Sequence, residues 1–210
     1  MDSQKKRRTY AVLSKIAYDS SGRESVSSKL RHYGLSGFVT YLPKMSTDSY
    51  KTFLDRRSGK VVISYRGTRP TNINDLVTDT AIFFGVERLT PRFQDALNHA
   101  KIVEKTVGKG KVEVTGHSLG GSEALYVTKN TGIPSVTFNP GKTFEQFDIL
   151  NNYDKVKKFI YPKSDRTSLE NARIYKTRLD PVSLNSSRFN ADVVYVNSCQ
   201  YDMHAIDNFI

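Results

Sequence analysis

The stretch Thr115-Gly116-His117-Ser118-Leu119-Gly120-Gly121 decides the fold of this chain. It contains Gly-x-Ser-x-Gly, follows the apolar run 111–114 and precedes the helix-forming run 122–127. A strand that turns sharply into a helix lifts one serine hydroxyl clear of the backbone, and the flanking glycines relieve crowding in that turn. The helix start also offers free N–H groups to a developing oxyanion. We predict Ser118 as a nucleophile; the alternative is a glycine-rich turn with an ordinary N-cap serine.

Strand and helix patterns alternate on both sides of this turn. Helices are predicted over 9–18, 24–33, 91–107 and 119–130, with 74–84 as a short helix or a flap. In the helix over 91–107, Pro91 suits the first turn, and the apolar side carries Phe93, Leu97, Ile102 and Val103. Strands are predicted over 38–42, 50–56, 60–65, 111–115, 133–138, 157–161, 172–176 and 192–196.

This order of elements predicts an α/β fold. We expect a mostly parallel central sheet with helices on both faces, and antiparallel edge strands from the hairpin-like start. No repeat or linker interrupts the chain, so the prediction is a single domain over 1–210. Residues 1–8 contain Lys5-Lys6-Arg7-Arg8 and are expected to form a flexible basic N-terminus.

The composition indicates a soluble globular protein. No apolar run approaches the ~20 residues of a membrane helix, and the N-terminus lacks the apolar centre of a signal peptide, so we expect a cytoplasmic or other intracellular protein. A single cysteine, Cys199, rules out an internal disulfide. The net charge of +11 attracts polyanions. Because no nucleic-acid or nucleotide motif accompanies that charge, we expect an anionic membrane surface and no specific nucleic acid.

A nucleophilic serine needs a base and an orienting carboxylate. In α/β-hydrolase folds these follow in the order serine, acid, histidine, and His204 is the one histidine after Ser118. Asp180 is the preferred acid, because it follows a predicted strand and precedes Pro181, at the strand ends where such sheets carry catalytic loops. Asp165 is the main competitor, and Asp202 and Asp192 are the less favoured alternatives. His117 adjoins the serine and is expected to pack under the turn.

The oxyanion formed by the attack needs two hydrogen-bond donors. One is the backbone N–H of Leu119, the residue after the nucleophile. The other comes from a loop after an early strand, and Val61–Gly67 followed by Thr68 supplies such a strand and loop. The alternative is a plain strand-to-turn exit.

The chain resembles the class 3, fungal-type lipase family. The shared motifs are Tyr65-Arg66-Gly67-Thr68, Asn74–Asp79, Val114–Gly121, Asp180-Pro181-Val182 and a late His204, in the family's order, and Ala17-Tyr18 matches its N-terminal helix. The resemblance implies an α/β-hydrolase fold with Ser118, Asp180 and His204 as the triad and Thr68 and Leu119 at the oxyanion hole. It also implies hydrolysis of acylglycerol or phospholipid esters without a metal or cofactor.

The chain departs from the family at several points. It is short, Phe138-Asn139-Pro140-Gly141 replaces the family's glycine-rich turn, and compact intracellular or viral-type members match it best. Residues 69–85 are either a mobile lid or a packing helix. Phospholipase A-type, thioesterase and acyltransferase activities use the same triad. A catalytically silent basic module that binds membrane or nucleic acid is the alternative outside enzymes.

Overall fold

The structure is a computed structural model that describes residues 3–68, 86–141, 169–178, 180, 191–198 and 202–210. Several features of the sequence predictions lie outside these ranges, namely the lid segment 69–85 with its motif over 74–79, the strand over 157–161, Asp165, Pro181 and Cys199. Within the described ranges, no helix has the length and apolar character needed to span a membrane.

The described helices and strands follow the sequence predictions closely. The helices are α1 (Ser3–Ile16), α2 (Arg23–His32), α3 (Val86–Val107) and α4 (Leu119–Thr131), and 3-10 turns occupy Pro43–Met45 and Ile206–Phe209. The strands are β1 (Val39–Tyr41), β2 (Tyr50–Asp55), β3 (Lys60–Tyr65), β4 (Val112–His117), β5 (Ser135–Phe138), β6 (Ala172–Thr177) and β7 (Asp192–Val196).

The described strands form one sheet in chain order. β1, β2 and β3 pair antiparallel, whereas β3 through β7 pair parallel. Parallel neighbours need a crossover, which α3 supplies between β3 and β4 and α4 supplies between β4 and β5. The α/β class, with a mostly parallel sheet and antiparallel strands at one edge, is therefore confirmed.

Helices cover both faces of the sheet. On one face, Leu13 of α1 and Phe138 of β5 share an apolar core with Phe209 near the C-terminus. On the other face, Ile63 of β3 packs with Val103 of α3. Full burial of such a side chain contributes about 1.5–3 kcal/mol, so the sheet is held from both sides. The carboxyl ends of the parallel strands β3 to β6 lie at the same end of the sheet. The loops that follow these strands carry residues of the predicted site.

The structure corrects three expectations. Residues 3–8 belong to α1 instead of a flexible terminus, and Lys6 pairs there with Glu113 at 2.5 Å. α3 begins at Val86, so Pro91 lies inside the helix, where its missing N–H removes one helical hydrogen bond. Ile102 is 63% exposed while its neighbour Val103 is buried. Consecutive helical residues point about 100° apart, so Ile102 falls outside the apolar stripe.

Candidate active site

Ser118 stands on a strained turn between β4 and α4. Its backbone has φ 57 and ψ −126, a conformation that costs a non-glycine residue about 1–3 kcal/mol. The turn is held by hydrogen bonds from Ser118 N to the Phe138 carbonyl (3.1 Å) and from Ser122 N to the Ser118 carbonyl (3.1 Å). A Cβ atom on Gly116 would lie 2.2 Å from the Gly120 carbonyl oxygen, so this crossing requires glycine.

The loop after β3 packs directly against this turn. A Cβ atom on Gly120 would lie 2.2 Å from the Tyr65 carbonyl oxygen, and one on Gly67 would lie 2.7 Å from the His117 carbonyl oxygen. Thr68 follows and lines the same cavity as Ser118. Leu119 is the first residue of α4, among the helix-starting N–H groups that lack an intrahelical acceptor. Leu119 thus adjoins Ser118 in sequence, and Thr68 shares its cavity.

Asp180 and His204 form a buried hydrogen-bonded pair. Asp180 Oδ1 lies 3.0 Å from His204 Nδ1, and both side chains are almost completely buried. A carboxylate only accepts, so Nδ1 donates and Nε2 keeps its lone pair. Within the described part of the chain, this buried Nε2 has no hydrogen-bond partner.

The other described candidate acids occupy different positions. Asp202 Oδ1 accepts a bond from the backbone N of His204 at 2.9 Å, which shapes the local turn. Asp192 pairs with Arg173 Nε at 2.6 Å at the start of β7. Neither contact involves the His204 imidazole, whereas the contact of Asp180 does.

A cavity of about 520 Å³ connects these groups. Ser118, His204 and Thr68 line it together with Tyr18 and His117. Further lining comes from charged and aromatic side chains in α1, in α2, in the C-terminal 3-10 turn and in the segments next to them, namely Lys15, Asp19, Lys29, His32, Tyr33, Asp202 and Asp207. The volume falls in the range of ligand pockets. Among the described residues, no three His, Cys, Asp or Glu side chains are grouped to hold a metal ion.

His117 and Tyr18 connect the loop after β3 to His204. His117 Nε2 lies 2.7 Å from the His204 carbonyl oxygen, which can only accept, so Nε2 carries the proton. Burial lowers the pKa of His117 to about 3, so the ring is neutral and Nδ1 accepts from the Tyr18 hydroxyl at 3.0 Å. The Tyr18 oxygen in turn accepts a bond from the Gly67 backbone N–H. Position beside the serine was the only sequence signal for His117, and Tyr18 was visible only through the family resemblance.

Asn139 is a further site residue that sequence reasoning missed. It is buried at the end of β5 with φ 42, and Asn tolerates that region better than most residues. Its Nδ2 lies 3.1 Å from the Met203 carbonyl oxygen and 3.3 Å from that of His204, while its Oδ1 accepts from Thr177 N at 2.9 Å. Asn139 therefore fixes the segment that carries His204. The sequence did contain a signal for Asn139, namely its position directly after a buried strand, at the same end of the sheet as Ser118.

Comparison with known proteins gives one family match. The model of a phospholipase-like family, the Tle-like phospholipase domain, matches residues 9–144, well over half of the chain. The match includes the Ser118 turn and the loop after β3. Comparison with curated protein sequences gives no significant match.

Solved structures of fungal lipases share the fold. Lipase II from Rhizopus niveus is 13% identical with a TM-score of 0.55, over 97% of this chain and 87% of that one. MDLA from Penicillium cyclopium is 14% identical with a TM-score of 0.53, over 100% and 86%. The Rhizomucor miehei lipase, in its propeptide complex, is 14% identical with a TM-score of 0.51, over 87% and 64%. From the family match and this fold, the chain belongs to the Tle-like phospholipase domain family, with the α/β-hydrolase fold of class 3 lipases.

Proposed function

We propose that this protein hydrolyses carboxylic esters of lipids with a Ser118–His204–Asp180 triad. The observation that carries the proposal is the buried His204 Nε2, which has no hydrogen-bond partner among the described residues. It shares a cavity with Ser118, while Asp180 holds the opposite ring nitrogen at 3.0 Å. An imidazole nitrogen without a partner in the described part of the chain, in the same cavity as a serine on a strained turn, is the combination of groups from which general-base activation of a hydroxyl can be built.

The acylation step follows from these positions. Ser118 Oγ attacks the acyl carbonyl carbon, His204 Nε2 takes the hydroxyl proton, and Asp180 stabilises the resulting imidazolium. The N–H groups of Thr68 and Leu119 bind the oxyanion, and one such donor is worth roughly 3 kcal/mol in the transition state. His204 then gives its proton to the leaving alcohol, which leaves an ester between Ser118 and the acyl group.

Deacylation repeats the sequence with water as the nucleophile. His204 takes a proton from water, the hydroxide adds to the acyl carbon, and the oxyanion returns to the same two donors. Collapse of this intermediate releases the fatty acid and returns the proton to Ser118 Oγ. In this scheme His204 passes protons between Ser118, the leaving alcohol and water, and no step calls for a metal or cofactor.

We propose a phospholipid as the substrate, cleaved at an acyl ester as in phospholipase A. The support is the phospholipase family match; Lys15 and Lys29 also line the cavity, where they pair with Asp207 and Asp19. The net charge of +11 favours docking at an anionic membrane surface. A neutral acylglycerol remains the alternative substrate.

The test compares the wild-type protein with Ser118→Ala on p-nitrophenyl butyrate. We expect a loss of about 10³-fold or more in kcat, because the nucleophile is removed while binding is kept. Ser20→Ala, an exposed serine outside the cavity lining, is the matched control and should retain full activity. Equal residual activity in Ser118→Ala and Ser20→Ala refutes the triad.

Lipid profiling tests the substrate. Phosphatidylglycerol vesicles and trioleoylglycerol emulsions are incubated with each variant, and released fatty acid is measured. We expect Ser118-dependent release from the phospholipid. Release from the triacylglycerol alone contradicts the phospholipid assignment and leaves the ester-hydrolase assignment standing.

A further inference from the structure

Arg92 of α3 bridges a buried carboxyl group and the loop after β3. Its Nη2 donates to the Arg66 carbonyl oxygen at 2.5 Å, and its Nε lies 2.8 Å from Glu123 Oε1 on α4. The Arg92 side chain is 27% exposed and that of Glu123 only 2%. One planar guanidinium group therefore spans two elements that meet next to Ser118.

The peptide unit that Arg92 contacts is held at its other end as well. The Arg66 carbonyl and the Gly67 N–H belong to one peptide group, and the Gly67 N–H donates to the Tyr18 hydroxyl. A peptide group is planar, so contacts at its oxygen and at its N–H together fix its orientation. Thr68 is the next residue along the chain. Its N–H belongs to the following peptide group, which joins this doubly held peptide at the α-carbon of Gly67.

Filling this volume with Arg92 and Glu123 costs more free energy than filling it with apolar side chains. A buried ion pair is often less favourable than apolar side chains of similar volume, by about 1–4 kcal/mol. Burial raises the pKa of Glu123 to about 8, against the opposing effect of Arg92, so at neutral pH Arg92 faces a mostly protonated carboxyl group and a full ion pair forms only at higher pH. The other titratable groups that act on or respond to this carboxyl are Arg66, Asp95, Tyr18 and Tyr65. The Arg92 Nε–Glu123 Oε1 contact lacks hydrogen-bond geometry, but it places the guanidinium group where Nη2 donates to the Arg66 carbonyl.

We propose that Arg92, oriented by Glu123, is a positioning residue that acts with Tyr18 to fix the Arg66–Gly67 peptide and aim the Thr68 N–H at the oxyanion. The inference rests on the proposed function, in which Thr68 binds that oxyanion. Preorganised donors act on charge that develops only in the transition state. Loss of Arg92 should therefore lower kcat and leave KM nearly unchanged.

The experiment compares Arg92→Met and Arg92→Lys with the control Arg57→Met. Arg57 is an arginine of similar exposure, 36%, paired with Asp55 at the far end of β2. Two readouts are measured, namely kcat and KM on p-nitrophenyl butyrate and hydrogen exchange of the Gly67 and Thr68 amides. If Arg92→Met does not fold because Glu123 loses its partner, the double variant Arg92→Met/Glu123→Gln takes its place.

We expect Arg92→Met to lower kcat about 10- to 100-fold, less than full removal of a donor, with KM within about threefold of wild type. Exchange of the two amides should accelerate at least tenfold. Arg92→Lys should be intermediate, because an ammonium group cannot make both contacts at once. Arg57→Met should leave both readouts unchanged.

Unchanged kcat and unchanged exchange in Arg92→Met overturn the inference, as does a kcat loss matched by Arg57→Met. A wild-type protein without esterase activity refutes the proposed function instead. In that case the exchange rates still decide whether Arg92 orders the loop, so the two failures are distinguishable.

Discussion

Replacing Glu123 by Gln should stabilise the protein, increasingly so as the pH rises. The folded pKa of Glu123 is about 8 against an ordinary value of 4.5, so between these values the folded state holds a proton that the unfolded state has released. Wild-type stability must fall with pH across this window and level off above it. Gln has no proton to lose, so its advantage over Glu should grow in the same window.

The size of the effect follows from the shift. At about 1.4 kcal/mol per pKa unit, the shift sets a ceiling of about 5 kcal/mol on the gain. We expect about 1–3 kcal/mol between roughly pH 5 and pH 8, because relaxation and water penetration reduce the penalty of a carboxylate beside Arg92. Below about pH 4 the two proteins should differ only by the exchange of one hydrogen-bonding group for another.

Urea denaturation followed by circular dichroism across this pH range measures the difference. The exposed Glu24 of α2 provides the control, since Glu24→Gln should give a flat profile. A flat profile for Glu123→Gln, or a wild-type advantage that grows with pH, refutes the reasoning. Either result would mean that Arg92 outweighs burial and that Glu123 is ionised throughout.

Two further substitutions probe the hydrogen bonds around the base. Asp180→Asn should lower kcat about 10³- to 10⁴-fold with little change in Tm, because an amide N–H beside His204 Nδ1 forces the ring proton onto Nε2. Activity within tenfold of wild type on p-nitrophenyl butyrate would contradict the proposed role of Asp180. Tyr18→Phe should destabilise the fold by about 2–4 kcal/mol, because it strands both the Gly67 N–H and His117 Nδ1. An equal loss in the half-exposed control Tyr195→Phe, measured by urea denaturation, would show that the hydroxyl bonds do not matter.

The fold could be predicted well because its strands are short and strongly patterned. β2 ends and β3 begins within one residue of the predicted strands over 50–56 and 60–65, β3 ends directly before Arg66-Gly67, and β4 runs directly into the glycine-flanked turn at Ser118. Predictions failed where a tertiary contact overrides local pattern. Four basic residues in a row indicate a solvated terminus, yet Glu113 of β4 and the ring of Tyr10 give Lys6 a partner and extend α1.

The candidate site was predictable only in part, because sequence order indicates candidate reacting groups but not the residues that support them. Ser118, Asp180 and His204 follow from the order that the fold uses. The contacts of Tyr18 with His117 and of Asn139 with His204 join residues 99 and 65 positions apart, and no local spacing indicates them. Glu123 is the clearest case, since a charged residue in a helix normally indicates a solvated face.

Several features that cost folding free energy lie close to the carboxyl ends of the parallel strands. Their shared location indicates that they serve the same site. Ser118 and Asn139 adopt positive φ after β4 and β5, and Glu123 buries a carboxyl group one turn into α4. Each of these features costs stability, and each fixes a group near His204 or the loop at Thr68. A continuous path of contacts runs from Glu123 through Arg92, the Arg66–Gly67 peptide, Tyr18 and His117 to the His204 carbonyl. Because the path joins the proposed base to the proposed oxyanion donor, a disturbance at Glu123 should reach both, so stability gained there should come with slower turnover.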